Sequence, residues 1–389
     1  MNEPNVIRIG IVGFGSIARV HAGYLLAGEV EGAVLSAVAS IDEPGQSAAR
    51  ELDGEIAVFA SAAAMYAAKA CDAVLICTPH KAHPACAIEA LQAGVAVLSE
   101  KPAGVEPASV AAMNEAADEA GVAFSMMYHW RTSGLYQTLK SLLDGGELGA
   151  IKRIHWAVTN WYRTQAYYDA SSWRATWEGE GGGATINQSA HQLDLWQWLF
   201  GLPTRLRAFC GFGKYHDIEV EDDVTAYMEY DSGATATFVA STGEAPGESR
   251  LVIHGDLGKI VVEDDTITLW KNAISERDHN TADQTGFELP ACEKKVVDYP
   301  AGNPAHALVT ADFVKHLRTG SPLLVDGRDG LASMQLINAM ILSGWTDDWC
   351  SLPVDAELYK TNLAEQIAKS TGKKESAATT LDMSKSFSY

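Results

Sequence analysis

The stretch Val6-Ile7-Arg8-Ile9-Gly10-Ile11-Val12-Gly13-Phe14-Gly15-Ser16-Ile17-Ala18-Arg19-Val20 decides the fold. Residues 6–12 are rich in β-branched apolar side chains and predict a strand. Gly13 begins a tight turn, and residues 17–28 carry helical periodicity. Gly13-Phe14-Gly15-Ser16-Ile17-Ala18 fits GxGxxA in the strand-to-helix context that gives this pattern its meaning. The first glycine permits the turn, and the second lets backbone approach a pyrophosphate. Small Ala18 allows close helix–strand packing, and the helix N-terminus offers amide groups to the phosphates. Gly13, Phe14, Gly15, Ser16 and Ile17 are therefore expected to hold a dinucleotide. A glycine turn without a ligand is the plainer alternative.

Outward from this stretch, strands are predicted at 35–40, 72–78, 95–99 and 122–127, and helices at 83–93 and 107–120. Asp72-Ala73-Val74-Leu75-Ile76-Cys77-Thr78 is apolar almost throughout, as a parallel strand buried on both faces requires. The βαβα alternation predicts an α/β fold with a doubly wound parallel sheet of the Rossmann kind over residues 1–128. The texture changes after that. A strand is expected over 147–160, and one continuous helix over 184–200. Period-two runs from Arg205 to Leu269 predict a large, mainly antiparallel open sheet. Helices follow at 304–318 and 328–347. Residues 129–368 are thus read as a second, α+β domain for substrate binding and oligomerisation, and 369–389 as a polar tail.

The chain has 389 residues, with 29 Lys and Arg against 50 Asp and Glu, a net charge of −21. That charge repels phosphate backbones and anionic lipid, so neither nucleic acid nor a membrane is an expected partner. No apolar run reaches the roughly 18 residues of a membrane span, and the start lacks the pattern of a signal peptide, so the cytoplasm is the expected location. The six cysteines, at 71, 77, 86, 210, 292 and 350, show no CxxC pair and are read as buried free thiols; no metal site is expected.

Cofactor choice turns on the end of the second strand, Ser40-Ile41-Asp42. An acid there hydrogen-bonds the ribose hydroxyls and repels a 2′-phosphate. Ser40 stands in the usual acid position, with Asp42 two residues later and no arginine following at once. The expectation is NAD rather than NADP; Asp42 as a plain solvated loop acid is the alternative.

Further along stand Cys77-Thr78-Pro79 with His83, Glu100-Lys101-Pro102 after a buried strand, and Gly181-Gly182-Gly183 followed by Asn187-Gln188 and His191. With GFGSIA at 13–18, these motifs resemble the glucose–fructose oxidoreductase / inositol dehydrogenase / rhizopine-catabolism family of NAD(P)-dependent sugar oxidoreductases, over nearly the whole chain. The resemblance implies that Lys101 and His191 contact the reacting carbinol, with the choice of base between them left open. It implies that Cys77, Thr78, Pro79, His83 and Glu100 lie along the cofactor, and that Trp173-Arg174 closes over the nicotinamide. In the family an Asp stands four residues before the His, where this chain has Asn187. Asn cannot carry a proton, but it can orient a sugar hydroxyl, and helical spacing places Asn187 and His191 on one face.

Sugar recognition needs flat apolar faces beside hydrogen-bonding groups. Tyr128-His129-Trp130-Arg131, Trp161 with Arg163, Gln165, Tyr167-Tyr168 and Gln188 supply both. Within the family the run is most similar to members that oxidise the C3 hydroxyl of the anhydrosugar levoglucosan, giving 3-ketolevoglucosan. An inositol or another cyclitol is the alternative substrate. A cofactor-holding sensor without turnover is the alternative from another class, and it would need neither Lys101 nor His191. The resemblance also implies a homodimer or homotetramer formed through the open sheet.

Overall fold

A computed structural model describes residues 6–52, 55–283 and 285–370. The chain divides into two compact units. One takes in the chain up to Thr132 together with Asn303–Met334; the other takes in Ser133–Gly302 and the chain from Gln335.

The first unit carries six parallel strands: β1 (Ile7–Val12), β2 (Ala33–Ala39), β3 (Ala57–Phe59), β4 (Ala73–Ile76), β5 (Ala96–Ser99) and β6 (Phe124–Met126). Their order is β3-β2-β1-β4-β5-β6, so the winding reverses between β1 and β4. Such a reversal opens a crevice at the carboxyl ends of the strands, where ligands bind in open α/β sheets. Every residue of β4 and β5 is buried, the signature of a sheet covered on both faces.

The sequence reading ended this unit at residue 128, but residues 303–334 return to it. The helix His306–Thr319 puts Val309, Phe313 and Val314 into the same core as Ile9, Ile11 and Leu75. Its apolar stripe is legible in sequence; its destination is a long-range packing choice that local pattern does not encode.

The second unit carries nine strands: β7 (Ile151–Val158), β8 (Arg205–Phe212), β9 (Glu221–Glu229), β10 (Thr235–Ser241), β11 (Ser249–Gly255), β12 (Gly258–Glu263), β13 (Thr266–Asn272), β14 (Cys292–Val297) and β15 (Cys350–Ser351). The order is β14-β13-β12-β11-β7-β10-β9-β8-β15. Only the pairing of β7 with β10 is parallel among these. Burial alternates along β9 and β10, so one face is packed and the other more open. Ala226, Met228, Phe238 and Trp156 point into the packed face, and Trp156 lies near-parallel to Trp196 of the helix Ala190–Phe200 with ring centroids 6.2 Å apart.

Two local expectations change. The single helix expected over 184–200 opens as a π-helical turn, Ala184–Gln188, and becomes α-helical only from Ala190. Glu221, buried at the start of β9, is the cause. Its Oε1 accepts from the Gly183 and Thr185 amides and from the Thr185 hydroxyl, satisfying donors at the start of the turn. The cysteines are all free thiols, but Cys292 is exposed and Cys86 and Cys210 are half-buried. Of the expected polar tail, residues 371–389 lie outside the described residues. No helix among the described residues is long and apolar enough to cross a membrane.

Trp156 is the largest buried side chain of the second sheet, so Trp156→Ala should cost about 3–5 kcal/mol in that unit. Urea unfolding followed by tryptophan fluorescence checks this; a loss under about 1 kcal/mol would show that the site collapses around the cavity.

Candidate functional site

At the carboxyl end of β1 the backbone turns at Gly13, with φ +82°. A Cβ there would stand 3.0 Å from the Cys77 carbonyl oxygen and from Thr78 Cγ2, so the position admits little but glycine. A Cβ on Gly15 would meet nothing within 4 Å. Gly15 precedes the helix Ser16–Leu26, which has no side-chain cap and no acid in its first turn. Open space before uncapped amides is what a pyrophosphate requires, so these residues fit a dinucleotide. Gly15 and Ser16 are exposed and Ile17 half-buried, whereas Phe14 packs in the core and can contribute only its backbone.

Ser40 is buried just past β2. Asp42 is exposed and caps the helix Glu43–Arg50, its Oδ1 accepting from the Gly45 amide at 2.6 Å and from the Ser40 hydroxyl at 3.3 Å. One oxygen of the acid expected at the ribose is thereby committed to the fold.

Cys77 is buried, and its thiol is pushed well above the usual range by burial and by nearby Glu100. Thr78 is half-buried and Pro79 exposed. His83 is buried with both ring nitrogens against carbonyl oxygens, Nδ1 at 2.7 Å from Pro102 and Nε2 at 2.6 Å from Thr78. It ties the Thr78 loop to the Lys101–Pro102 segment. Burial pulls its pKa down, and Lys101 adds to that, while the two carbonyls oppose it.

Glu100 anchors the end of β5. Its Oε1 pairs with His21 Nε2 at 2.8 Å, and its Oε2 accepts from the Lys101 amide at 3.1 Å. The His21 Nδ1 meets the Tyr24 hydroxyl, which reaches Thr310 Oγ1 at 2.7 Å. Burial alone would raise the Glu100 pKa, but bonding and charge from His21, with His306 and Lys101 beyond, hold it down at about 2. Lys101, half-buried, follows directly. His306 stacks on His129, ring centroids 4.2 Å apart, and stands edge-on to His21 at 5.5 Å.

Of the segment 128–131, expected at the sugar, Tyr128, His129 and Arg131 are buried in this unit. Arg131 is 1% exposed, and its guanidinium bonds Asp329 at 2.6 Å and lies over the buried Tyr128 ring. His129 is buried in the stack with His306, and Trp130 is half-buried. His21, Tyr24 and His306 went unread in the sequence. The one available signal was a histidine, His21, on the Ala18–Ala22–Leu25 face of a helix.

In the second unit Arg174 lies between two rings, its guanidinium carbon 4.4 Å from the Tyr167 centroid and 4.7 Å from that of Trp173. Arg174 and Gln188 both donate to the Tyr167 hydroxyl, at 2.6 and 3.1 Å. Arg163 reaches the Trp161 and Tyr167 rings at 5.4 and 5.0 Å. Of the expected pair Tyr167-Tyr168, Tyr168 is buried against His216 with its hydroxyl on Thr242. Gln165 is held by Asp169 and by the Asp217 backbone. Tyr167 is thus the tyrosine of this cluster.

His191 is buried, whereas Asn187 is half-buried on the π-helical turn. The Asn187 amide donates to the carboxylate of Glu180, a residue the sequence reading passed over. Glu180 is 1% exposed, accepts from the Ala175 amide at 2.6 Å and stands 3.9 Å from Arg174. Burial pushes its pKa up, and Arg174 and the two N–H donors pull back, leaving it at about 6. An acid directly before the glycine triplet was the available signal. No cluster able to hold a metal occurs among the described residues.

Comparison with known proteins agrees with this geometry. The oxidoreductase family with an NAD-binding Rossmann fold matches residues 7–128, and the GFO/IDH/MocA C-terminal domain matches residues 136–261. The WlbA dehydrogenase of Bordetella pertussis, solved with NADH and UDP-GlcNAcA, is 30% identical at a TM-score of 0.76. That match covers 90% of this chain and 100% of the other. The chain belongs to the Gfo/Idh/MocA oxidoreductase family. It is an NAD(P)-dependent oxidoreductase. D-apiose dehydrogenase of Paraburkholderia graminis is 26% identical over 352 residues, 89% of this chain and 90% of that protein. A levoglucosan dehydrogenase solved with NADH and levoglucosan is 18% identical at a TM-score of 0.74, covering 89% of this chain and 99% of the other. At that identity the likeness is one of fold.

The histidine cluster predicts an acid sensitivity of known sign. Burial holds the His306 pKa at about 4 and also holds that of His129 well below the usual range, while an unfolded histidine titrates near ~6.5. Above ~6.5 neither state is protonated. As the pH falls from ~6.5 towards 4, the unfolded chain takes up protons that the native state refuses, so stability is lost. Native Glu100 stays ionised throughout that window, and its own contribution enters only at the lower end, where an unfolded glutamate takes up a proton near ~4.3. His306→Asn should therefore flatten the fall in urea midpoint between pH 6.5 and pH 4.5. An unchanged slope would clear His306 of this role.

Proposed function

We propose that the protein is an NAD-linked dehydrogenase that oxidises a ring secondary hydroxyl of a cyclic sugar to a ketone. The observation that carries this reading is the uncapped glycine turn at Gly13–Ser16 at the same sheet edge as Lys101, in a chain of this family. A nicotinamide dinucleotide bound at that turn supplies the hydride acceptor for the carbinol carbon. The chain's own residues have the remaining work. The Gly15–Ile17 amides take the phosphates. Lys101 Nζ donates to the oxygen on which negative charge develops, and the His191 imidazole takes the hydroxyl proton as general base. Trp173, Arg174 and Tyr167 supply flat faces and donors for the sugar ring.

Levoglucosan, oxidised at C3 to 3-ketolevoglucosan, is the substrate to test first; a cyclitol such as inositol is the neighbouring choice. A second reading, a nucleotide-linked sugar acid, is favoured by a specific observation. Two guanidinium groups, Arg163 and Arg174, lie over the Tyr167 ring, and cations there suit an anionic substrate. It is also favoured by the ligand of the Bordetella relative. The discriminating experiment follows reduced-nicotinamide absorbance with NAD or NADP against levoglucosan, inositols and UDP-linked sugar acids, in both directions. Silence across the panel would favour the sensor alternative. A homodimer or homotetramer formed through the more open sheet face belongs to the same proposal, and sedimentation analysis tests it.

Lys101→Ala should abolish most of kcat while leaving NADH affinity, read by fluorescence, nearly unchanged. His191→Ala should lower kcat roughly 10²- to 10⁴-fold. Near-normal turnover in either variant would remove that residue from the chemistry.

NAD should be preferred over NADP, because Asp42 places negative charge beside Ser40. Asp42→Asn keeps a good helix cap and removes the charge, so it should narrow the preference without loss of stability. A higher kcat/KM with NADP in the unmodified protein would overturn this assignment.

A further inference from the structure

The pairing of Asn187 with Glu180 places an amide directly against a buried acid, and an amide has two unlike ends. An ionised carboxylate has only acceptors, so it can face the Nδ2 end of Asn187 and not the Oδ1 end. This follows from charge and does not depend on how the amide is drawn. The other Glu180 oxygen is engaged by the Ala175 amide, which fixes the carboxylate plane. Within Gly181–Trp196 every residue except Asn187 is buried. Asn187 is therefore the point at which this stretch meets its surroundings, and the buried acid behind it decides which end it offers.

We propose that Glu180 is a positioning residue: its carboxylate holds the Asn187 amide so that the carbonyl oxygen, an acceptor, is presented to a substrate hydroxyl. Glu180 itself touches no substrate. This rests on the dehydrogenase reading above and deepens it, because it makes a hydroxyl donor on the sugar the group recognised at position 187. The groups facing Glu180 are Arg174, Asn187 and the Ala175 amide, with Glu221 beyond the glycine run and Tyr167 on the far side of Arg174. Arg174 favours the ionised form and Glu221 disfavours it, and the balance with burial puts the proton exchange at about pH 6. A protonated Glu180 has an O–H to give, and the favoured partner is then Asn187 Oδ1, which turns Nδ2 outward. Recognition of the hydroxyl should accordingly weaken as pH falls through 6.

Substitutions can invert the polarity without changing shape. In Glu180→Gln the Ala175 N–H still demands an oxygen, so the new NH₂ faces Asn187 and the amide must turn over, presenting a donor. This variant should lose about 10- to 100-fold in kcat/KM, the cost of meeting a donor with a donor at a partly buried site. In Glu180→Gln/Asn187→Asp the Gln NH₂ donates to the new carboxylate, whose second oxygen again faces outward as an acceptor. Most of the lost kcat/KM should return. Asn187→Asp alone sets two carboxyl groups in contact, and such a pair holds a shared proton. With that proton between them the outer oxygen of position 187 is still an acceptor, so kcat/KM should stay near wild type while the proton is held and fall at a pH where it is lost and the two charges repel.

The experiment measures kcat/KM against pH for the wild type and these three variants with a substrate the wild type turns over. NADH binding and thermal unfolding serve as folding controls. Beside them, infrared titration of the isolated proteins follows the protonated carboxyl band near pH 6, which should vanish in Glu180→Gln whether or not any sugar is oxidised. A wild type without turnover, but with that band, would sink the dehydrogenase reading and leave the Glu180–Asn187 pairing standing. A Glu180→Gln enzyme with wild-type kcat/KM and pH profile would overturn the positioning role. So would a double variant no better than the single one.

Discussion

A carboxylate taken out of water must find donors or give up its charge, and this chain places three such acids beside its candidate site residues. Glu100 is satisfied by His21 and by the Lys101 amide, and so stays ionised at the end of β5. Glu221 gathers the amides of Gly183 and Thr185 and forces the wide turn that begins the helix of His191. Glu180 receives the Ala175 and Asn187 N–H groups. Each acid is costly by itself and becomes tolerable only when particular backbone amides point at it. The acids therefore fix loop geometry more tightly than apolar packing does, because a hydrogen bond has direction and burial has none.

Glu100 shows how this reaches Lys101. Lys101 is half-buried on an irregular segment after β5, where a long flexible side chain could take many positions. The bond from its own amide to Glu100 fixes the start of that side chain, and His83 holds the following residue through the Pro102 carbonyl. Behind Glu100 the chain His21–Tyr24–Thr310 carries the restraint to the helix His306–Thr319. A segment more than two hundred residues away in sequence thus steadies the lysine, a physical reason for residues 303–334 to return to the first unit.

What could be read in the sequence follows the same division. Strands β1, β4 and β5 were legible because burial on both faces leaves nearly continuous apolar runs. The turn at Gly13 was legible because only glycine tolerates its φ and its closeness to Cys77. The switch from a parallel to a mainly antiparallel sheet was visible as a change to period two. The destinations of polar side chains were not visible. Arg131 looked like a ligand-binding arginine beside aromatics, yet Asp329 neutralises it from across the unit. Tyr167 and Tyr168 are indistinguishable as letters, and the rotation of about 100° between neighbours on a helix sends one to Arg174 and the other to Thr242. The π-helical turn was hidden because Glu221, which causes it, lies some thirty-five residues downstream.

The replacement of an acid by Asn187 looks in sequence like a loss, and in the structure it is a displacement. The carboxyl group stands one side chain further back, at Glu180, and the amide between it and the surface converts a charge into a fixed dipole. A carboxylate at position 187 would meet solvent and substrate directly and would titrate with each ligand that entered. Behind the amide, the same charge is shielded by Arg174 and by two N–H donors, so its field is felt outside chiefly through the orientation of one C=O group. Proton transfer then cannot pass through position 187, since an amide neither gains nor loses a proton near neutral pH. In the proposed dehydrogenase the burden falls on groups able to carry one, Lys101 and His191, while position 187 is left the narrower task of choosing which hydroxyl is held.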